Sequence, residues 1–374
     1  MKVLFFDNRL ESFLNFRGAI VSHFHDMGYD VEVVVPMSPT IADVIRRAPN
    51  YLVVHQVKMN SNGVNPIADL RLCFSLYNII KRIRPDIVFT YTIKPNIYGS
   101  ILAYLSGVPV VAMVAGLGYA FSGNSLKHKL GRWLYRCGLR RANKVIVLNE
   151  SNLDTLLLNG YAKNENLILF EGGEGVDLAQ FGFCNDSYDC VRFLMVARVL
   201  YDKGYSEYVD AAKIVKQKYP DVKIELLGPL AEDSPMGVPR EIVERDHDAG
   251  YITYLGETDD VTNFVGLKGV VVVVSSYHEG FNRSLMEACA MGRICVTSDI
   301  PGCREIVDDG YNGFLVAPKD PQKLADVMMR IIETSAEERA MLARNSNEKA
   351  RNVFDVDLVI KKYDSIVADL INEA

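Results

Sequence analysis

The chain has 374 residues, which is enough for roughly two or three domains at about 150 residues each. Its 49% of apolar and 24% of charged residues exclude disordered, collagen-like and disulfide-scaffold proteins. A formal net charge of −6 and a pI of about 5.6 give no overall electrostatic reason to expect a nucleic-acid partner.

Cysteine usage and apolar runs bear on the compartment. The cysteines are seven, an odd number, and none stands in a Cys-x-x-Cys pair. The N-terminal apolar run is too short for a signal peptide, and the longest run, residues 108–121, falls short of the ~20 residues that a membrane-spanning helix needs. We therefore expect free thiols in a cytoplasmic protein without a membrane span.

The first half alternates short β-branched runs with helical patterns, as parallel βαβ units do. Helices are predicted at 16–27 and 70–83, the first ended by Gly28 and the second by Pro85. The predicted strands are 3–6, 31–35, 87–90, 110–114 and 145–148.

A glycine-rich stretch at 171–177 interrupts this alternation, which then restarts. Because one sheet of about eleven strands would be unusually large, we expect an α/β protein of two doubly wound, Rossmann-like domains, 1–180 and 181–355. A ligand should bind between them, beyond the carboxyl ends of the strands. The later predicted strands are 193–197, 224–227, 252–255, 270–274, 294–297 and 314–316, and the last predicted helices are 321–334, 336–353 and 356–373.

The loop after the first strand, residues 7–12, contains no glycine. Gly-x-Gly-x-x-Gly and the P-loop pattern are both missing from the places where they would act. A dinucleotide-dependent dehydrogenase and a simple NTPase are therefore disfavoured.

Two cations follow the first strand of the second half. Arg198 stands at the strand end and Lys203 five residues later. An arginine fork and a mobile lysine together neutralise a diphosphate well. The alternative is a surface turn with two solvated cations.

The stretch 275–288 combines a strand end, a glycine turn and a helix start. The helix N-terminus presents free amides to an anion. Glu279 in the turn is placed to accept hydrogen bonds from sugar hydroxyls, and Glu287, about two helical turns on, to accept two from a ribose diol. The alternative is a capped surface helix with an incidental glutamate pair.

These motifs resemble those of the family-4 retaining glycosyltransferases. The similarity rests on Glu279-Gly280-Phe281 through Glu287-Ala288, on Arg198, Lys203-Gly204, Leu255-Gly256 and Gly175-Val176-Asp177, and on residues 292, 299–305 and 309–314. It implies the GT-B fold, a last helix (356–374) that returns to the first domain, and a nucleotide-sugar donor used without cofactor or metal. It further implies that Arg198 and Lys203 hold the diphosphate, with Gly280, Phe281, Asn282 and Arg283 beside it, that Glu279 contacts the donor sugar and that Glu287 holds the ribose.

A finer similarity concerns residues 116–121 and 301–305, which are similar to the branch that builds bacterial surface polysaccharides on lipid carriers. The expected reaction is retaining transfer of a hexose or N-acetylhexosamine from a UDP-linked donor to a lipid-linked saccharide. In three places the chain departs from many relatives: no histidine follows the strand at 110–114, Asn282-Arg283-Ser284 replaces a more apolar turn, and His278 replaces a longer basic residue. The first departure puts a dedicated catalytic base in doubt.

Two other functions stay open at this point. A non-hydrolysing UDP-sugar epimerase also uses a Rossmann pair, but its acid/base residues find no convincing counterpart in the first-half loops. A catalytically idle nucleotide-sugar-binding subunit would keep Arg198, Lys203, Glu279 and Glu287 without turnover.

Metal binding is not expected. Asp-x-Asp triplets occur at 246–248 and 355–357, but neither follows a buried strand, and no histidine or cysteine cluster has zinc spacing.

The segment from Leu126 to Lys144 is a local exception to the acidic balance, because it holds seven Lys and Arg residues and no acid. Leu126, Leu130 and Trp133 recur in it at helical spacing. We expect either a basic amphipathic helix on an anionic membrane or a helix packed on its own domain with solvated arginines.

The acceptor side is predicted from the loops that follow two first-half strands. Lys94 and Asn96 follow the strand at 87–90, and Gly116 and Gly118 follow the strand at 110–114. For Lys94, a surface position is the alternative to a phosphate-binding role.

Overall fold

The computed structural model describes residues 1–60, 65–117, 121, 123, 125–185, 188–267, 269–273 and 280–372. The chain divides into two compact units, each described by itself. Unit 1 comprises Met1–Glu174 and Asp357–Ala374, and unit 2 comprises Gly175–Val356. The division falls close to residues 180 and 355, where the sequence places the domain boundaries.

Unit 1 contains a parallel sheet whose described strands lie in the order β3-β2-β1-β4-β5-β6-β7. A single π-helical turn, Pro95–Gly99, leads into α4. In chain order the elements are β1 Lys2–Phe6, α1 Leu10–Asp26, β2 Asp30–Pro36, α2 Ile41–Arg47, β3 Val53–Val57, α3 Pro66–Ile83, β4 Ile87–Tyr91, α4 Ser100–Leu105, β5 Val110–Val114, α5 Leu126–Leu139, β6 Lys144–Val147, α6 Glu150–Leu158 and β7 Leu167–Leu169.

Unit 2 contains a second parallel sheet, in the order β10-β9-β8-β11-β12-β13. Its elements are β8 Arg192–Val196, α7 Tyr205–Lys218, β9 Lys223–Leu227, α8 Arg240–Asp248, β10 Thr253–Tyr254, α9 Thr262–Val265, β11 Val270–Val273, α10 Arg283–Ala290, β12 Cys295–Ser298, β13 Gly313–Val316, α11 Pro321–Glu333 and α12 Ala336–Lys349. The chain then enters α13, Val356–Asn372, which belongs to unit 1 as predicted.

Both faces of the unit 1 sheet are covered, as parallel sheets require. On one face, Leu76, Ala103, Tyr135 and Leu156, from four successive helices, share a core with alternate strand residues. The other face is aromatic: Phe5 stacks on Phe89 at 5.4 Å, and Tyr363 of α13 lies 5.3 Å from Phe89. The last helix is therefore built into this core.

Two strands of unit 1, β3 and β7, were not predicted from the sequence, and both lie at an edge of the sheet. β3 reads Val-Val-His-Gln-Val, and a partly solvated edge strand needs no continuous apolar run. β7 has three residues, none fully buried. Helix α3 starts at Pro66 rather than residue 70, because the Asn65 side chain accepts a hydrogen bond from the Ala68 amide and Pro occupies the first turn.

Each sheet has a point where the strand order reverses direction. It lies between β1 and β4 in unit 1 and between β8 and β11 in unit 2. Ligands of open parallel sheets bind at the carboxyl ends of the strands that flank such a point. Among the described helices, none combines the length and apolarity that crossing a bilayer demands.

Candidate functional site

In unit 2, the loops that follow β8 and β11 flank the reversal point. The two strands pair in parallel, with Phe193 opposite Val270 and Leu194 opposite Val271. Their carboxyl ends therefore meet at one edge of the sheet. The loop after β8 carries Arg198 and Lys203, and the chain after β11 leads to Gly280 and α10.

The backbone of the first loop is held by its neighbours. The Val199 amide donates to the Pro229 carbonyl at 3.0 Å, and the Tyr201 amide donates to that of Met236 at 2.9 Å. Gly204 takes a φ of +87°, which favours glycine, where the 3-10 turn Tyr201–Lys203 meets α7. Arg198 is exposed and Lys203 half-buried, so a fixed backbone presents the Arg198 guanidinium to solvent.

The start of α10 is equally well held. Asn282 is its N-cap, and the side-chain Oδ1 accepts from the Leu285 amide at 3.1 Å. The Asn282 amide donates to the Gly302 carbonyl at 2.9 Å, which ties the helix start to the loop after β12. Phe281 packs edge-on against Phe354 with ring centroids 5.9 Å apart. Asn282 and Phe281 thus fix where the helix N-terminus points.

Glu287 lies on α10 and is mostly buried, its side chain being 13% exposed. Its Oε1 accepts from Arg283 Nε at 2.7 Å. Burial raises the pKa of Glu287, and the Arg283 guanidinium opposes that rise. Glu287 is therefore a carboxylate held in place by its neighbour, and Arg283 is an ion-pair partner of another predicted site residue.

The structure thus brings Arg198, Lys203 and the segment Gly280–Arg283 to one sheet edge, with Glu287 on the helix that starts there. Glu279 and His278 lie outside the described residues, as does Gly118.

A site at the reversal point of unit 1 was not anticipated from the sequence. Arg17 of α1 is 4% exposed, forms an ion pair with Glu174, and has Nη1 3.4 Å from Asp7 Oδ2. Its guanidinium carbon lies 4.1 Å from the centroid of the Tyr91 ring, and the Tyr91 hydroxyl bonds that of Tyr363 at 3.0 Å.

This buried charge cluster joins the carboxyl ends of β1 and β4, helix α13 and the last residue of unit 1 before the chain enters unit 2. Burial raises the pKa of Asp7 despite the opposing effect of Arg17, and the two carboxylates raise that of Arg17 against the effect of burial. One signal was available: Arg17 falls on the buried stripe of α1, whose other members are Leu10, Phe13, Ile20, Val21 and Phe24. An arginine in that position needs buried partners.

The predicted acceptor residues are differently placed. The Lys94 ammonium donates to Asp69 Oδ1 at 2.8 Å and is therefore already neutralised. Asn96 is 0% exposed; its side chain accepts from Thr90 Oγ1 at 2.8 Å and donates to the Met113 carbonyl at 2.7 Å. The structure corrects the expectation for Asn96, which is a buried structural group. Gly116 is half-buried just beyond β5.

The Asp-x-Asp triplets have structural surroundings. Asp246 is buried on α8 and accepts from the Tyr205 hydroxyl at 2.8 Å, and Asp357 stands in the first turn of α13. In the part of the chain that the structure describes, no three His, Cys, Asp or Glu side chains are grouped to hold a metal ion.

Two doubly wound parallel sheets, the last helix returned to the first unit, and a cation-bearing loop beside a helix start define the GT-B class of glycosyltransferases. The chain belongs to the glycosyltransferases. Residues 189–349 match the family described as "Glycosyl transferases group 1", and residues 2–149 match "Glycosyl transferase 4-like".

Curated relatives span the whole chain. The chain is 26% identical to the N,N'-diacetylbacillosaminyl-diphospho-undecaprenol alpha-1,3-N-acetylgalactosaminyltransferase of Campylobacter jejuni, over 97% of both chains. It is 23% identical to the UDP-Gal:alpha-D-GlcNAc-diphosphoundecaprenol alpha-1,3-galactosyltransferase of Escherichia coli, over 92% of this chain and 90% of the relative.

Solved structures agree on the fold. Anabaena HepE in complex with UDP superposes with a TM-score of 0.79 at 18% identity, over 99% of this chain and 100% of HepE. Sucrose-phosphate synthase of Thermosynechococcus elongatus gives 0.80 at 15% identity over the full length of both chains.

Proposed function

We propose that this protein is a retaining glycosyltransferase that moves a hexose or N-acetylhexosamine from a UDP-linked sugar to a saccharide carried on a lipid diphosphate, in bacterial surface polysaccharide synthesis. The observation that supports the proposal is that the Arg198–Lys203 loop and the chain leading to α10 follow β8 and β11, the paired parallel strands that flank the reversal point of unit 2. Both features favour an anion there.

The donor is assigned by charge and by analogy. A nucleotide diphosphate carries negative charge that an exposed arginine, a lysine and the positive end of a helix dipole stabilise together. UDP itself is supported by the HepE complex and by the UDP-Gal donor in the name of the Escherichia coli relative. Glu287, held by Arg283, would accept hydrogen bonds from the two ribose hydroxyls, and Glu279 would contact the donor sugar.

The proposed mechanism is front-face displacement. The bond between the anomeric carbon and the diphosphate oxygen breaks while the acceptor hydroxyl attacks from the same side. The hydroxyl proton passes to the leaving diphosphate oxygen, so the donor itself supplies the base. The protein neutralises the leaving group through Arg198, Lys203 and the amides near Phe281. No metal or cofactor enters this scheme.

The acceptor is assigned from the relatives. The names of the Campylobacter jejuni and Escherichia coli relatives both describe sugars linked to undecaprenol through a diphosphate. A lipid-linked saccharide on the cytoplasmic face of the membrane is accordingly the proposed acceptor class.

The test incubates the purified chain with UDP-hexoses and UDP-N-acetylhexosamines and with undecaprenyl-diphosphate-linked saccharides. Mass spectrometry detects transfer, and the NMR coupling constant of the new anomeric proton reports configuration. A product that keeps the donor's configuration supports the proposal. An inverted product, an epimerised donor, or binding without turnover would each overturn it.

The charge assignment has its own test. Arg198→Ala or Lys203→Ala should lower kcat/KM roughly 30- to 1000-fold, which corresponds to a loss of about 2–4 kcal/mol in transition-state stabilisation. Arg240→Ala is the matched control, because Arg240 is also a unit 2 arginine, lies on α8 and is 55% exposed. It should leave turnover unchanged.

A further inference from the structure

Helices α3, α4 and α5 present an unusual outer surface on unit 1. They are neighbours, since α4 contacts both α3 and α5, and their inner sides share one core against the sheet. We call their solvent side the α3–α5 face. Most of the sequence that builds it was not anticipated as functional.

Large apolar side chains stand in solvent on this face. On α3 they recur at helical spacing, and α5 repeats the pattern. Exposed fractions are 67% for Ile67, 72% for Leu70 and 69% for Phe74 on α3, 58% for Tyr104 and 64% for Leu105 on α4, and 84% for Leu126, 45% for Leu130 and 60% for Trp133 on α5. Single exposed apolar residues need no explanation, but a contiguous set on adjacent helices marks an interaction surface.

The α5 pattern now favours one of the two interpretations. Tyr135, Gly138 and Leu139 are the residues that face the core, whereas Leu130 and Trp133 face solvent. Helix α5 therefore packs on its own domain through one side, while Leu130 and Trp133 stay exposed on another, and this exposure favours the membrane interpretation.

The charge of the face is one-sided. Residues 126–144, which include α5, contain seven Lys and Arg residues and no Asp or Glu, in a chain whose net charge is −6. Helix α3 adds three Lys and Arg residues and one acid, Asp69, which is buried and paired with Lys94. A groove of about 780 Å³ between α4 and α5 is lined by Trp133 and Tyr104 with Arg136, Arg140 and Arg141. The one acid in its wall, Glu165, is 3.0 Å from Lys163.

We propose that the α3–α5 face docks on an anionic lipid bilayer, with the apolar side chains of all three helices in the interface and the cations on lipid phosphates. Charge complementarity selects this occupant, because a basic, acid-free α5 with an exposed tryptophan and exposed leucines matches an interface that offers hydrocarbon beneath negative headgroups. The inference deepens the proposed function, since a lipid-carried acceptor is reached from such a surface.

Trp133 is the chain's single tryptophan, so its fluorescence reports this face alone. Vesicles of phosphatidylcholine with phosphatidylglycerol should shift its emission to the blue, and bromine-labelled acyl chains should quench it. Phosphatidylcholine alone should do neither. Unchanged emission with anionic vesicles, or an equal response to soluble glycerol phosphate, would overturn the inference.

Variants separate the helices and the charges. Arg136→Ala with Arg140→Ala should weaken partitioning about 30-fold, at roughly fivefold per cation. Phe74→Ser on α3 should also weaken it, although Phe74 is far along the chain from Trp133. The control variant, Lys218→Ala with Arg240→Ala, removes two positive charges from unit 2, where these side chains are 61% and 55% exposed. It should leave vesicle partitioning unchanged. An equal loss with this control would contradict a local face.

Transfer assays keep the two proposals apart. The Arg136 and Arg140 variant should act normally on detergent-solubilised acceptor and poorly on acceptor in vesicles. Vesicle binding without any glycosyl transfer by the native chain would support the docking face and contradict the proposed function. Transfer without vesicle binding would do the reverse.

Discussion

Replacing Arg17 with Met tests the buried charge cluster of unit 1. Methionine keeps an apolar stem on the buried stripe of α1 and removes the guanidinium. Asp7 and Glu174, 1% and 8% exposed, then lose the cation that both of them contact, and Tyr91 loses a stacked guanidinium. Breaking a buried ion pair from one side costs about 3–5 kcal/mol, because the remaining charge stays desolvated.

For a unit of this size the cost corresponds to a fall in melting temperature of roughly 6–20 °C, at 2–4 °C per kcal/mol. Trp133 lies in unit 1, so its fluorescence follows the unfolding of that unit. The deficit should be larger at pH 8 than at pH 5. Burial already raises the pKa of Asp7 in the native protein, and without the opposing Arg17 guanidinium that pKa rises further; a carboxyl with a raised folded-state pKa loses its stabilising contribution as pH rises through that pKa.

A triple variant tests whether the lost stability comes from the buried carboxylates left without Arg17. Adding Asp7→Asn and Glu174→Gln to Arg17→Met leaves no buried charge at the cluster and should restore most of the lost stability. A deficit below about 1 kcal/mol for Arg17→Met, or one that is equal at both pH values, would refute the reasoning.

Further variants probe unit 2. Glu287→Gln should raise the melting temperature at pH 7 and weaken UDP binding at least tenfold. Burial raises the folded-state pKa of Glu287, so the carboxyl loses its stabilising contribution as pH rises through that pKa, whereas the neutral glutamine does not ionise. A lower melting temperature at pH 7 would contradict this. Asn282→Ala should cost about 1 kcal/mol of unfolding free energy in urea titrations, and Asn282→Asp should keep most of it, because only the latter preserves the helix cap. Gly228→Ala should weaken UDP binding and destabilise unit 2, since its Cβ would lie 1.9 Å from the carbonyl oxygen that precedes Arg198. Gly250→Ala, at a φ of +74° with open space around it, should cost only about 1 kcal/mol in a thermal melt and leave UDP affinity intact.

Central strands and long helices were predictable, the helices because their apolar residues recur at helical spacing and the strands because they are short apolar runs between turn signals. Strands such as β1 and β5 are buried on both faces and read as continuous apolar runs. The edge strands β3 and β7 have only one neighbour each; His55 and Gln56 interrupt the valines of β3, and β7 has only three residues, so neither forms an apolar run long enough to indicate a strand. The start of α3 at Asn65-Pro66 has a local signal in the sequence, because asparagine is a preferred N-cap and proline is favoured in the first helical turn.

The site was predictable as far as chain order determines it. Arg198 and Asn282 follow strands, and strand pairing brings such positions to one edge. The burial of Asn96 depends on tertiary packing that its position in the chain does not decide. The pairing of Arg283 with Glu287 matches their i,i+4 spacing on α10, which the sequence displays. The Arg17 cluster combines residues from positions 7 to 363, so only its arginine gave a local signal.

Isothermal titration of UDP into the native chain and into its Arg198→Ala and Arg240→Ala variants tests the assignment of the donor site most directly. We expect UDP to bind the native chain and the Arg240 variant equally, and the Arg198 variant at least tenfold more weakly, the scale of one lost charge-assisted hydrogen bond. Equal affinity in all three proteins, or no binding of UDP to the native chain, would contradict the account.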